Sequence, residues 1–123
     1  QMEGVVLAPL PMPLAEYRAT IQSPAAQLKF DELLARPRCF SFVLPAPGEL
    51  LPGQCASWTP DQIRYDNLAR FLSRHSHILI ALWDGEAPKP GGTGAVVDYQ
   101  RRGAPSEGIL HLADSGPVYH VPV

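Results

Sequence analysis

Three short stretches hold the residue types from which chemistry could be built. Trp83-Asp84-Gly85-Glu86 sets an aromatic plane beside two carboxylates, and Gly91-Gly92-Thr93-Gly94 follows a few residues later, opening a helical segment from Ala95 to Arg102. Leu10-Pro11-Met12 lies at the end of an apolar, β-branched run. A glycine-led helix start offers backbone N–H groups and the positive end of a helix dipole, and Thr93 adds a hydroxyl, so a phosphate is the natural guest. Asp84 and Glu86 would repel a phosphate placed against them and suit ribose hydroxyls or an adenine amino group. Trp83 gives a flat apolar surface on which a base can stack. Base, sugar and phosphate each find a candidate partner. Plainer roles stand beside these: a glycine cluster can be only a tight connection, Trp83 can cap the core, and Asp84-Gly85 can be an ordinary turn.

Positioning such a site requires strands that end in those loops. His77-Ile78-Leu79-Ile80-Ala81-Leu82-Trp83 is an unbroken apolar run and reads as a central strand buried on both faces. Gly4 to Ala8 reads as a first strand, stopped at Pro9 because proline cannot donate to a sheet ladder. A short helix over 14–21 follows. Ser23-Pro24 then supplies an N-cap and an N1 proline for a second helix ending near Arg36. Cys39 to Leu44 reads as the next strand, and the Pro- and Gly-rich residues 45–59 as a mobile surface loop. Thr59-Pro60-Asp61-Gln62 fits a capping box. The helix it opens is expected to turn Ile63, Leu68, Phe71 and Leu72 inward and Arg64, Asp66, Asn67 and Arg70 outward. Beyond the glycines, Val96, Val97 and Tyr99 pack a helix onto the sheet, with Gly103 at its C′ position. Gly108 to Leu112 and Val118 to Val121 read as two closing strands. Strands alternating with helices predict one α/β domain over 1–123, three layers deep, with a mainly parallel sheet. Its carboxyl edge would gather the loops 9–13, 83–86 and 90–94.

Bulk composition narrows the function class. With 123 residues, 46% of them hydrophobic and 18% charged, the chain can bury a core. A net charge of −2 leaves no electrostatic footprint for nucleic acid or an anionic membrane surface. The longest apolar run is far short of a membrane span, and no signal-like segment leads the chain, so a cytoplasmic location is expected. Cys39 and Cys55 read as free thiols, and His75, His77, His111 and His120 make no zinc-like spacing. No metal and no cofactor is expected. Neither a Gly-x-Ser-x-Gly elbow nor a Walker lysine pattern occurs. Asp98, one turn into the glycine-led helix, is the remaining carboxylate near a bound ligand; it reads as a solvent-facing residue rather than a general acid.

Val6-Leu7-Ala8-Pro9-Leu10-Pro11-Met12-Pro13 with Glu16-Tyr17, Phe30 to Leu34, His75 to Gly85, and Gly91 to Val97 together resemble the SLOG superfamily. These Rossmann-like domains are related to the LOG phosphoribohydrolases and to the DNA-processing protein A fold, and the likeness is strongest for members in bacterial stress and antiviral signalling. The resemblance implies binding of a nucleotide-derived ligand, ADP-ribose-like, NAD-derived or a cyclic nucleotide, by Leu10, Pro11, Met12, Trp83, Asp84, Gly85, Glu86, Gly91, Gly92, Thr93 and Gly94. It also implies coupling to a homo-oligomer or to a fused or associated effector domain. LOG-type enzymes instead cleave nucleoside 5′-monophosphates, using a Gly-Gly-x-Gly-Thr-x-x-Glu motif with a companion Pro-Arg-x-x-Glu. Here Ala95 replaces the threonine, Asp98 stands at the glutamate, and Pro37-Arg38 is followed by Cys39-Phe40-Ser41. Sensing without turnover is therefore the first expectation, a LOG-like hydrolase the second, and a degenerate domain kept for protein–protein contact the third. Related domains carry a strand and a helix before the Val5 strand, so a missing βα unit and an exposed edge that promotes association are also expected.

Overall fold

The computed structural model describes residues 4–87, 89–105 and 117–123. It is mixed α/β, with the order β1(Val6–Leu10), α1(Leu14–Thr20), α2(Pro24–Leu34), β2(Cys39–Val43), α3(Pro60–His75), β3(Leu79–Trp83), α4(Thr93–Arg102) and β4(Val118–Pro122). Two compact units divide it, Gln1–Pro45 and Ala46–Val123. Each contains one two-stranded parallel sheet, β1 with β2 and β3 with β4. The strand expected over 108–112 lies outside the described residues.

In the first unit, β1 runs through Pro9 instead of stopping before it. The register explains why. The Val6 N–H bonds the Arg38 carbonyl and the Leu44 N–H bonds the Leu10 carbonyl, so residues 6, 8 and 10 turn their polar groups toward β2. Pro9 has the opposite parity, and its missing N–H costs no ladder bond. Pro13 precedes α1, which carries no side-chain cap, whereas Ser23 caps α2 by accepting from the Ala26 N–H at 3.4 Å. The two helices are tied by Arg18, whose Nε and Nη2 donate to the Asp31 carboxylate at 2.9 Å each, and by the Tyr17 and Phe30 rings, 5.6 Å apart.

The second unit departs further from expectation. On α3 the buried stripe is Asp66, Ala69, Arg70 and Ser73, a run of i, i+3, i+4, i+7 positions. Asp66 and Arg70 thus face inward, and Ile63, Leu68, Phe71 and Leu72 are only half-buried. α4 buries Gly94, Ala95, Val97 and Gln100, and it packs against both α3 and β3. The β3 run is not buried on both faces. Ala81 is buried, while Ile80 and Leu82 are 71% and 65% exposed, and Tyr119, opposite Ile80 on β4, is 61% exposed. Among the described residues β3 pairs with β4 alone.

Within residues 45–59, expected to be a mobile surface loop, Pro52 and Gln54 bond to α3. Gln54 Nε2 donates to Asp66 Oδ2 at 2.8 Å and to Asn67 Oδ1 at 2.7 Å, while its Oε1 accepts from the Leu51 N–H at 2.9 Å. Arg70 Nη2 reaches the Pro52 carbonyl at 2.5 Å, and Nη1 the Pro105 carbonyl at 2.9 Å. Gln54 and the Pro52 carbonyl are thereby tied to the buried Asp66–Arg70 pair.

Candidate functional site

The site begins with what holds α4 in place. Asp66, fully buried, accepts from Arg70 Nε at 2.7 Å, from Gln54 and from the Tyr99 hydroxyl. The Arg70 guanidinium also lies 5.4 Å from the centre of the Tyr99 ring. Burial, with the adjacent Asp66 carboxylate, pushes the Tyr99 phenol from 10.0 up to about 12, so it stays a donor across the physiological range. Tyr99 therefore joins α4 to α3, in addition to any packing on the sheet.

At its other end α4 starts against the α3 backbone. Gly91 has φ +73°, and a Cβ there would come within 2.3 Å of the Tyr65 Cβ and 3.0 Å of the Tyr65 carbonyl carbon. Only glycine supplies both the left-handed conformation and the close approach. Gly92, the N-cap, accepts from the Ala95 N–H at 3.0 Å through its carbonyl, and its own N–H bonds the Lys89 carbonyl at 3.0 Å. No side chain caps this helix. The amides of Thr93 and Gly94 open the first turn, where a helix has no carbonyl of its own to offer them.

The Trp83 corner is built differently. Asp84 Oδ1 accepts from the Glu86 N–H at 3.0 Å, closing an Asx turn, and Gly85 takes φ +85° inside it. His120 of β4 approaches the Trp83 carbonyl through Nε2 at 2.7 Å, and its ring lies 5.2 Å from the indole. One side of Trp83 is thereby backed by β4.

Both corners border one cleft of about 220 Å³ within the second unit. Trp83, Asp84 and Glu86 line it from the turn, and Gly92, Thr93 and Gly94 from the helix start. Gly85 and Gly91 shape those corners from behind without lining the cleft. Leu10, Pro11 and Met12 are buried in the first unit and are not among the lining residues. Four lining residues were not foreseen: Leu82, Ala87, Lys89 and Val123. Lys89 was legible as the one cation between the two motifs, and it lies 3.6 Å from Glu86. Asp98 is not among the lining residues either; its Oδ1 pairs with Arg102 Nε at 3.0 Å, an i, i+4 bond along α4. Cys39 and Cys55 are free, and no metal-ligand cluster occurs among the described residues. Among those residues, too, no helix is long and apolar enough to cross a membrane. No family model, curated protein or solved structure matches the chain.

Proposed function

We propose that the chain is a SLOG-like, Rossmann-like sensor domain whose second unit binds a nucleotide-derived small molecule without turning it over. The observation that carries this reading is the shared cleft: a tryptophan turn with two carboxylates faces an uncapped, glycine-led helix start, with Lys89 at the margin. Phosphate oxygens would sit at the Thr93 and Gly94 amides, with Lys89 adding charge. Ribose hydroxyls or an exocyclic amine would meet Asp84 and Glu86, and the base would lie against Trp83. Parallel strands joined through helices in both units support the Rossmann-like assignment. The exposed Ile80, Leu82 and Tyr119 support coupling to a second copy or an effector domain.

A thermal-shift panel of ADP-ribose, NAD and cyclic nucleotides tests the reading, because a ligand selective for the native state raises the melting midpoint. At least one should raise it in a concentration-dependent way, and Asp84→Ala should weaken that response. No shift with any of them, or a shift indifferent to Asp84→Ala, overturns the assignment. Incubation with AMP tests turnover separately. Released adenine would move the chain to the LOG-type hydrolases.

A further inference from the structure

The sheet of the second unit has two unlike faces. In the β3–β4 register Leu79 stands beside Val118 and Ala81 beside His120 on one face, with Ile80 beside Tyr119 and Leu82 beside Val121 on the other. Helix α4 packs against β3 and Ala81 is buried, so the helix lies on the Ala81 side. The opposite face is open. Ile80, Leu82 and Tyr119 are its most exposed members, and Ile78, 57% exposed just ahead of β3, and Val121, 40% exposed, extend it. Side chains of these sizes, exposed to these degrees, present roughly 600 Å² of apolar surface, at the top of the range of about 300–600 Å² for the largest patch on a monomer. Two such faces laid together bury about 1,200 Å², where specific protein–protein interfaces begin.

Charge and shape decide which occupant fits. None of the five residues is charged. In a two-fold contact the patch meets the same patch on the other copy, so any charge it carried would be set against its like. A face without charge meets its own copy with no such repulsion, and it offers no charge pattern by which a different, charged partner would be selected. A pleated face of isoleucine, leucine, valine and tyrosine is also what a second sheet packs against, at a spacing of about 10 Å.

We infer that a second copy of this chain docks on the β3–β4 face, sheet against sheet, in a two-fold dimer centred on Ile80 and Tyr119. Leu82 also lines the cleft, so the second copy stands at the cleft's border. This narrows the coupling named under the proposed function to one occupant, and it holds whatever the cleft binds. Sedimentation equilibrium on the full chain, without nucleotide, should show a monomer–dimer equilibrium with a dissociation constant of roughly 1–100 μM, as suits an interface at the small end of the range. Dilution through that range should shift the amide resonances of residues 78–82 and 118–122. Ile80→Glu, at a position outside the cleft lining, should weaken the dimer by roughly a hundredfold or more, because each copy would bury an unpaired carboxylate. Its melting midpoint should match that of the wild type at dilutions where the wild type is monomeric, since Ile80 is open to solvent in the single chain. A chain that stays monomeric well above that range, an Ile80→Glu variant that still dimerises, or dilution shifts confined to other residues would each overturn the inference. So would an Ile80→Glu melt lowered even in the dilute monomer, the result expected if residues of the same chain cover the face. Failure here leaves the cleft to its own ligand panel, and failure of that panel leaves the dimer standing.

Discussion

Two helices of the second unit begin in opposite ways. At the start of α3, Thr59 accepts from the Gln62 N–H at 3.2 Å, Gln62 Oε1 accepts from the Thr59 N–H at 2.8 Å, Pro60 removes a donor, and Asp61 faces the dipole. A reciprocal capping box, an N1 proline and a first-turn acid are combined within four residues. At the start of α4 none is used: the N-cap is Gly92, no side chain reaches back, and the first turn holds no acid. A helix start satisfied by its own side chains contributes stability and has nothing left to offer a ligand. One left open forgoes that stability and keeps its donors available. What lets α4 begin unsatisfied is that α3 holds it, through Gly91 pressed on Tyr65 and through the Asp66–Tyr99 bond.

That last statement is the one to break first. Asp66→Ala would strand the buried Arg70 guanidinium and release Tyr99 and Gln54 together. The expected loss is about 3–5 kcal/mol of unfolding free energy by denaturant titration, the range for removing one partner of a buried ion pair. A loss under ~1 kcal/mol would mean that α4 is held by other contacts. The same network gives a pH signature. Because the Tyr99 phenol is raised in the folded state, its contribution is complete below pH 10 and lost as pH climbs toward about 12. Stability followed against pH should fall over that alkaline window in the wild type, and Tyr99→Phe should lessen the fall.

The glycine corner comes next. Gly91→Ala should cost about 3 kcal/mol, because a left-handed alanine costs ~1–2 kcal/mol and the contact with Tyr65 adds overpacking strain. Gly85→Ala is the matched control, with φ +85° and nothing within 4 Å of a new Cβ. It should cost only about 1 kcal/mol. Equal costs in the two melts would mean that Gly91 is there for its backbone angle alone and not for its approach to α3. Thr59→Ala, at the closed start, should cost ~1 kcal/mol and leave the cleft's ligand response untouched.

These comparisons also show which parts of the chain were legible. Ser23-Pro24 and Thr59-Pro60-Asp61-Gln62 announced α2 and α3 because capping is local chemistry, written in residues that touch one another in sequence. The Trp83 and Gly92 corners were readable for the same reason. Asp66 and Arg70 are not legible as core residues, because charge on its own points to exposure. A carboxylate and a guanidinium one turn apart can be buried once the pair, a tyrosine and loop carbonyls satisfy each other. The composition of residues 45–59 reads as a mobile loop, but Gln54 and the Pro52 carbonyl answer groups on α3 that no local pattern reveals. The β3 run failed differently. Hydrophobicity says that Ile80 and Leu82 are suited to burial, not that a covering layer is present.

The smallest effect on stability sharpens the contrast most. Gly92 has φ −82° and ψ 171°, the extended conformation of a good N-cap, and a Cβ there meets nothing closer than the Lys89 carbonyl at 3.4 Å. Gly92→Asp should therefore be accepted and should stabilise the protein by a few tenths of a kcal/mol, since aspartate caps helices slightly better than glycine. Its carboxylate would take the first-turn amides for itself and set a negative charge where a phosphate would lie. The variant should melt at or just above the wild-type temperature yet lose the nucleotide-induced shift. That pairing of opposite signs separates a helix start reserved for an anion from one merely left uncapped. If the shift survives the substitution, the open amides of α4 are not where the ligand binds.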